Sequence, residues 1–258
     1  WNPAPENYLR VSFSSAIRNP TLSDQYLFLD VGRAVLAGNL DGAEDLVTVE
    51  SLQEYFNAPR PDVLEFFDIA PVQPEQVRTI EAGYRTTLFN TTYVDASYYY
   101  SVYDNFLGFN IGVDASLDPN TGLPITLQTF RYAANSLNTV TTQGFSLGIN
   151  HYFANYYVLN GNYSWNQLVQ ADEDDPIIPA FNTPEHKFNL GISGRDLTVN
   201  LGGVSVNKVG FKVNYKWIEG FLFEGSPQFT GFIPSYDLLD AQVNFRLEKI
   251  DTTLKIGA

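Results

Sequence analysis

Residues 80–102 read Ile-Glu-Ala-Gly-Tyr-Arg-Thr-Thr-Leu-Phe-Asn-Thr-Thr-Tyr-Val-Asp-Ala-Ser-Tyr-Tyr-Tyr-Ser-Val. Ile80, Ala82, Tyr84 and Leu88 alternate with Glu81, Gly83 and Arg85. After a tight turn at Asn90-Thr91, Val94, Ala96, Tyr98, Tyr100 and Val102 alternate with Asp95, Ser97, Tyr99 and Ser101. A period of two puts one residue set on each face of a strand. Two such runs around a short turn predict an antiparallel hairpin, apolar on one face and polar on the other.

The same pattern recurs along the chain. Leu9–Phe13, Phe145–Ile149, Leu159–Trp165, Phe188–Ile192, Phe211–Trp217, Leu239–Leu247 and Leu254–Ile256 each alternate apolar residues with Asn, Ser, Lys, Arg, Asp or Gly. Less regular strand candidates lie at Phe106–Val113, Ile125–Tyr132 and Leu197–Val206. A soluble antiparallel sheet with one wet face would give this pattern. So would a transmembrane barrel, apolar towards lipid and polar towards its lumen. Two features favour the barrel. Tyr98–Tyr100, Tyr103, Tyr152, Phe153, Tyr156, Tyr157, Trp165 and Trp217 fall at strand ends, where interfacial girdles sit. The joints at Phe89–Thr92, Phe153–Asn155 and Glu248–Asp251 are short. Ser23–Gln76, Leu117–Pro124, Val169–Glu185 and Glu219–Pro234 are longer. Short turns at one end and long loops at the other describe an outer-membrane barrel.

Composition narrows the function. Acidic residues outnumber basic ones, 29 to 15, for a net charge of −14 over 258 residues. That excludes a nucleic-acid binder built on a basic surface. The absence of Cys excludes disulfides and thiolate metal centres. No apolar run reaches the roughly 18 residues of a membrane-spanning helix. The chain has no Met and no basic-then-apolar leader, so a mature form or a fragment is expected. Its two imidazoles, His151 and His186, lie near no recognisable nucleophile motif, and no enzyme is expected.

The long loops carry the candidate sites. In Ser23–Gln76, Ser51-Leu52-Gln53-Glu54 fits a capping box before Tyr55 and Phe56. Pro61 precedes Asp62, Val63, Leu64, Phe66 and Phe67, as at the first turn of a short helix. One or two short helices over the barrel mouth are expected, either as a binding surface or as a stiffener of the mouth. Tyr55, Phe56, Phe66, Phe67, Phe181, Phe221 and Phe229 are the candidate substrate- or partner-binding rings. So many loop rings are costly to expose unless they pack together, grip a ligand or meet a partner such as a surface lipoprotein. Asp172, Asp174 and Asp175, with Glu173 between, form an acidic cluster that calcium would suit. It lacks the spacing and mid-loop glycine of a helical calcium loop, and a solvated loop tip explains it more simply.

Several runs, in order, resemble the C-terminal barrel of TonB-dependent outer-membrane receptors. They are Arg18-Asn19-Pro20-Thr21 with Asp24-Gln25-Tyr26, Val31–Gly38, Gln73-Pro74-Glu75-Gln76 leading to Glu81-Ala82-Gly83-Tyr84-Arg85, and Gln143–Leu147. Phe181-Asn182-Thr183-Pro184-Glu185-His186-Lys187, Asp240–Val243 and Leu254–Gly257 continue the series. Ser146 stands where the family commonly has Glu. The resemblance spans nearly the whole chain, and it rests on order and spacing rather than on any one motif.

It implies an all-β barrel of about 22 strands around a plug domain, in the outer membrane of a Gram-negative cell. Strands alone would need about 220 residues at roughly 10 each. Residues 1–258 are therefore expected to be a single domain, part of such a barrel with about ten to twelve strands. The plug, the TonB-contacting segment and the terminal strand are expected to lie outside it. A small complete barrel is the alternative architecture.

The implied function is uptake of a large or scarce substrate through a plugged barrel with TonB-derived energy, without catalytic residues or a cofactor. Implied partners are outer-membrane lipid and the TonB energy complex. The alternative is a structural or partner-binding barrel subunit without transport. Arg10, Arg18, Glu81, Arg85, Lys187, Lys212, Asp240 and Arg246 should face the lumen or plug, each more simply paired across strands than touching substrate.

Overall fold

A computed structural model describes residues 5–58, 60–118, 123–170, 177, 181–201, 204–224, 230–247 and 250–258. In chain order, β1 (Asn7–Arg18) leads through α1 (Leu22–Tyr26), β2 (Phe28–Asp30), β3 (Val35–Ala37), β4 (Ala43–Val47), α2 (Val49–Asn57), a 3-10 turn (Pro61–Val63) and β5 (Phe66–Ile69). Then follow β6 (Glu75–Leu88), β7 (Thr92–Asp104), β8 (Leu107–Leu117), β9 (Pro124–Asn135), β10 (Val140–Phe153), β11 (Tyr157–Gln170), β12 (His186–Leu201) and β13 (Val204–Ile218). The chain closes with β14 (Phe221–Glu224), β15 (Thr230–Ile233), β16 (Tyr236–Leu247) and β17 (Thr252–Gly257).

Nine of these strands form one antiparallel wall, ordered β1-β6-β7-β10-β11-β12-β13-β16-β17. Its register keeps chemistry on one side across the whole sheet. Leu9 faces Tyr84, then Ala96, Leu147, Tyr163, Phe188 and Trp217 along one row. In the adjacent row, which points the other way, Arg85 faces Asp95, Gly148, Asn162, Asn189 and Lys216. A slip of one residue at any strand would mix the two sets. The outer face leaves Val11 75%, Phe13 73%, Leu190 55% and Leu239 67% exposed. That much apolar surface is costly in water and costs nothing in hydrocarbon.

Aromatic belts mark the height of that hydrocarbon. Phe153 stacks on Tyr157 at 5.3 Å near one end, and Phe188 on Trp217 at 5.5 Å near the other. Along β11 the steps from Tyr157 to Trp165 climb about 20 Å at a tilt of about 40°. That approaches the roughly 25 Å apolar band of outer-membrane barrels. β1 and β17 are not neighbours, so the wall is an open partial barrel among the described residues.

Connections alternate in length as expected. The turns at residues 89–91 and 154–156 and the short joints from β12 to β13 and from β16 to β17 lie at one end, and the long connections from β1 to β6, β7 to β10, β11 to β12 and β13 to β16, the four excursions, leave the other. Phe89 and Asn90, and again Ala154 and Asn155, adopt left-handed backbone in succession, the signature of a type I′ hairpin. The first turn is thus centred one residue earlier than Asn90-Thr91.

The wall has nine strands rather than ten to twelve because Phe106–Val113 and Ile125–Tyr132 belong elsewhere. They lie in β8 and β9, which stand in a second sheet, β2-β3-β9-β8-β4-β5, while β7 and β10 pair directly with each other. Leu197–Val206 is the end of the β12–β13 hairpin, not a further strand. Leu117 and Pro124 are the facing ends of β8 and β9, so the loop expected there joins two strands of the second sheet rather than two of the wall.

This second sheet caps the long-loop end. It joins β3 of the first excursion to β9 of the second as a parallel pair. Val47, Leu52, Tyr55, Leu64 and Val113 make its first core. Leu46, Ile69, Ala134 and Ile177 make its second. Ile177 comes from the third excursion, so three of the four excursions share one packed unit. Of the two expected helices, α2 is present but starts earlier than the Ser51 capping box implied, whereas the run after Pro61 makes only the 3-10 turn Pro61–Val63 before Phe66 and Phe67 enter β5. Thr48 is the cap of α2, accepting from the Ser51 amide, and Ser51 lies buried inside the first turn. Thr21 and Asp24 form a reciprocal capping box on α1.

Candidate functional site

The polar face of the wall carries a compact ion network. Arg10 Nη2 lies 3.1 Å from Asp95 Oδ1, and Arg85 Nη2 lies 2.9 Å from Asp95 Oδ2. Glu81 completes the group, 3.5 Å from Arg10 Nε. Two cations and two carboxylates balance. Arg10 reaches Asp95 by lying flat across Gly83, where a β-carbon would collide with its guanidinium. Beside it, Tyr99 lies across Gly144 in the same way and donates to Asn166 Oδ1 at 3.0 Å. Asn189 donates to Asn162 at 2.7 Å, and Ser97 meets Ser146 at 2.8 Å. This face satisfies its polar groups by cross-strand bonds and suits water or a polar partner.

The other charges expected on this face have the same parity. Asp240 shares a shallow recess with Lys212, Asn214 and Gln242. Arg246 pairs with Asp251 at 2.7 Å at the short-turn end. Arg18 closes the base of the first excursion: its Nη2 lies 3.0 Å from Glu75 Oε2, and Glu75 is buried.

Among the candidate rings, the structure separates core from surface. Tyr55 is only 2% exposed and is a structural residue of the cap, packed with Val47, Leu52, Leu64 and Val113. Phe67 is half-buried against the second core. Phe56 and Phe66 are exposed at 59% and 52%. Phe181 and Phe221 come together, with Phe232, Asn166, Glu185 and Glu219, around a cavity of about 540 Å³. Phe229 and the acidic run of Asp172, Asp174 and Asp175 lie outside the described residues.

A second cavity, of about 400 Å³, lies where the cap meets the wall. Arg18, Asp24, Leu36, Phe109 and Arg131 line it. The Arg131 guanidinium sits 3.5 Å from the centre of the Phe109 ring, a cation–π arrangement. Tyr132, next in β9, stacks on Phe130 at 5.3 Å. Burial pushes its phenol above the ordinary tyrosine range, and the Asp114 charge adds to the effect. Asp95, Glu75 and Arg131 were not among the sequence candidates. Asp95 left a trace there as the sole acidic residue on the polar side of its strand, and Glu75 as part of the Gln73–Gln76 run.

His151 and His186 each bond one neighbour: Thr92 Oγ1 lies 2.8 Å from His151 Nδ1, and Tyr163 Oη 2.7 Å from His186 Nδ1.

The fold has solved counterparts. The siderophore receptor PirA from Acinetobacter baumannii superposes with a TM-score of 0.53 at 11% identity, over 95% of this chain and 33% of that one. The copper transporter OprC gives 0.57 at 12%, over 99% and 31%. The FrpB iron transporter from Neisseria meningitidis gives 0.56 at 12%, over 100% and 33%. The chain therefore spans about a third of the length of these structures. No curated protein sequence matches it. The family model for the "TonB dependent receptor-like, beta-barrel" matches residues 1–258. With that match across its whole length, and an open nine-stranded wall polar on one face and apolar on the other, the chain belongs to the TonB-dependent receptor β-barrel family.

Proposed function

We propose that the chain forms part of the wall and the mouth of an outer-membrane receptor that captures a scarce substrate outside the cell and imports it with TonB-derived energy. The observation that carries this reading is the gathering of excursions at one end of the wall. Three of them share the packed cap through Val47, Val113 and Ile177. The third and fourth enclose the Phe181–Phe221 cavity. The long-loop end is then the outer side, the short turns face the periplasm, and the Arg10–Asp95–Arg85 network faces the lumen and its plug.

The solved relatives are named as siderophore, iron and copper receptors or transporters, which makes a metal or its chelate the first substrate class to test. The experiment is uptake of radiolabelled ferric siderophores and copper into cells carrying the complete receptor, with and without a working TonB complex. Uptake should need TonB, and a Phe181→Ala, Phe221→Ala double variant should lower surface binding at least tenfold while the barrel still inserts. Binding unchanged in that variant would remove the cavity as a recognition site. TonB-independent residence in the membrane with no uptake of any of these classes would favour a scaffold subunit.

A further inference from the structure

We propose that Glu185, His186 and Glu219 form a site for a resident divalent cation of the zinc type, which staples the third long excursion to the fourth. Each of the three offers one ligand atom, and these atoms lie within 4.8 Å of one another. The fold creates this meeting. Lys187 pairs with Ile218 across β12 and β13, so the residues just beyond that pair, His186 and Glu219, fall side by side.

Each ligand is already oriented through its other polar atom. His186 Nδ1 bonds Tyr163 Oη at 2.7 Å, which leaves Nε2 to ligate. When Nδ1 carries the hydrogen and donates it to Tyr163, Nε2 presents its lone pair, the tautomer a metal requires. Glu219 Oε2 accepts from the His186 amide at 2.9 Å, and Glu185 Oε1 accepts from Trp165 Nε1 at 3.3 Å. Each carboxylate keeps a second oxygen for the ion.

The donor set selects the metal class. One imidazole and two carboxylates suit zinc and similar borderline cations, which bind N and O at about 2.0–2.2 Å. Calcium prefers six to eight oxygens. Closing from 4.8 Å to the roughly 3.5 Å between ligands of a tetrahedral ion asks about 1 Å of carboxylate movement. Two carboxylates also cancel the charge of the ion.

Position argues that the ion stays put rather than passing through. Tyr163, Trp165, Phe188 and Trp217 share the outward face, opposite Asn162, Asn189 and Lys216. His186 stacks with Tyr163 at 6.0 Å on that same side. The cluster therefore lies off the polar face, at the level of the aromatic belt. Glu185 and Glu219 also line the Phe181–Phe221 cavity, so an ion joining them would fix its shape.

The test uses the complete receptor purified in detergent, stripped with a chelator and titrated with Zn²⁺ by calorimetry, with Co²⁺ quenching of Trp fluorescence as a second readout. One Zn²⁺ per chain is expected, with affinity at least tenfold weaker in H186A, E185Q and E219Q and unchanged in E50Q, a carboxylate on the exposed face of α2. Y163F should weaken binding about tenfold, because it removes only the orienting partner. Co²⁺ quenching should largely vanish in W165F. Heat-modifiable gel mobility separates misfolded variants from folded ones. Absence of stoichiometric Zn²⁺ binding, or binding that H186A and E219Q leave intact in the folded protein, overturns the proposal. It does so without touching the transport reading, whose uptake assay needs neither result.

Discussion

Arg18 and Glu75, at the end of β1 and the start of β6, meet at 3.0 Å and so tie together the two feet of the first excursion. Glu75 is the buried partner, with its side chain 6% exposed, whereas Arg18 is 57% exposed. The same carboxylate oxygen accepts from the Leu107 amide at 2.9 Å, which adds the foot of the second excursion.

The asymmetry of that pair predicts an order of damage. Arg18→Ala strands a buried carboxylate and should cost about 3 kcal/mol, the low end for such a loss because water reaches the arginine side. Glu75→Ala frees Arg18 into water and leaves one amide unpaired, for about 1–2 kcal/mol. Glu75→Gln keeps an acceptor for Leu107 and should cost least. Urea unfolding in detergent micelles measures the order. Glu75→Ala costing more than Arg18→Ala would show that the arginine is not what balances the buried charge.

The Arg10–Asp95–Arg85 network should be weaker per contact than its geometry suggests. Arg10 is 44% and Arg85 48% exposed, so each pair with Asp95 is worth no more than about 1 kcal/mol after screening. A double-mutant cycle between Arg10→Ala and Asp95→Ala should return that small coupling, reduced further in 1 M salt. A coupling above 3 kcal/mol would mean that the site is dry in the assembled receptor.

Gly144→Val should displace Tyr99 and break its bond to Asn166, lowering barrel stability by about 1–3 kcal/mol. Tyr99→Phe in the Gly144→Val background should add little further loss, since the hydroxyl has already lost its partner. The readout is the unfolding midpoint of the two variants against the wild type.

Tyr55→Ala removes a buried ring from the cap and should cost the cap about 3–5 kcal/mol. Protease should then cut within residues 19–74 while the wall keeps its heat-modifiable mobility. Phe56→Ala, next to it but exposed, should leave the cap resistant. Equal sensitivity in both would place the cap core elsewhere.

Spin labels at Leu159, Tyr163, Phe188, Val213, Val243 and Phe245 should be accessible to oxygen from lipid. Labels at Asn160, Asn162, Asn189, Asn214, Gln242 and Asn244 should be accessible to a water-soluble nickel chelate. The register assigns the two sets to opposite faces, so a mixed pattern would break it at the strand concerned.

The wall was legible in the sequence because eight of its nine strands run for 12 or more residues and keep one alternation, and Leu9, Ile80, Tyr98 and Leu147 already announced their face. The cap was not. β2 and β3 are three residues each, Phe28-Leu29-Asp30 and Val35-Leu36-Ala37, too short for any period to show. β3 is held as a strand by β9, a partner far along the chain, and β2 in turn by β3. The same reason hid Glu75 and Arg131, whose partners are set by pairing rather than by spacing. Ser51-x-x-Glu54 misplaced the helix start because Thr48 offers the same kind of hydroxyl one turn earlier. Tyr55 and Phe56 looked alike as loop rings, and only the helix direction decides which of them is buried. Glu219 is remote from His186 in sequence, and the register of β12 against β13 was the only clue to their meeting.

The parallel pair of β3 with β9 fixes an order of assembly. β3 precedes β6 and β7, and β9 follows them. The cap sheet can therefore close only after that hairpin has crossed the membrane and brought the two excursions to the same side. The long loop that β3 and β9 must close makes this a slow, non-local pairing. A newly inserted wall thus stands with an open mouth before it acquires its lid.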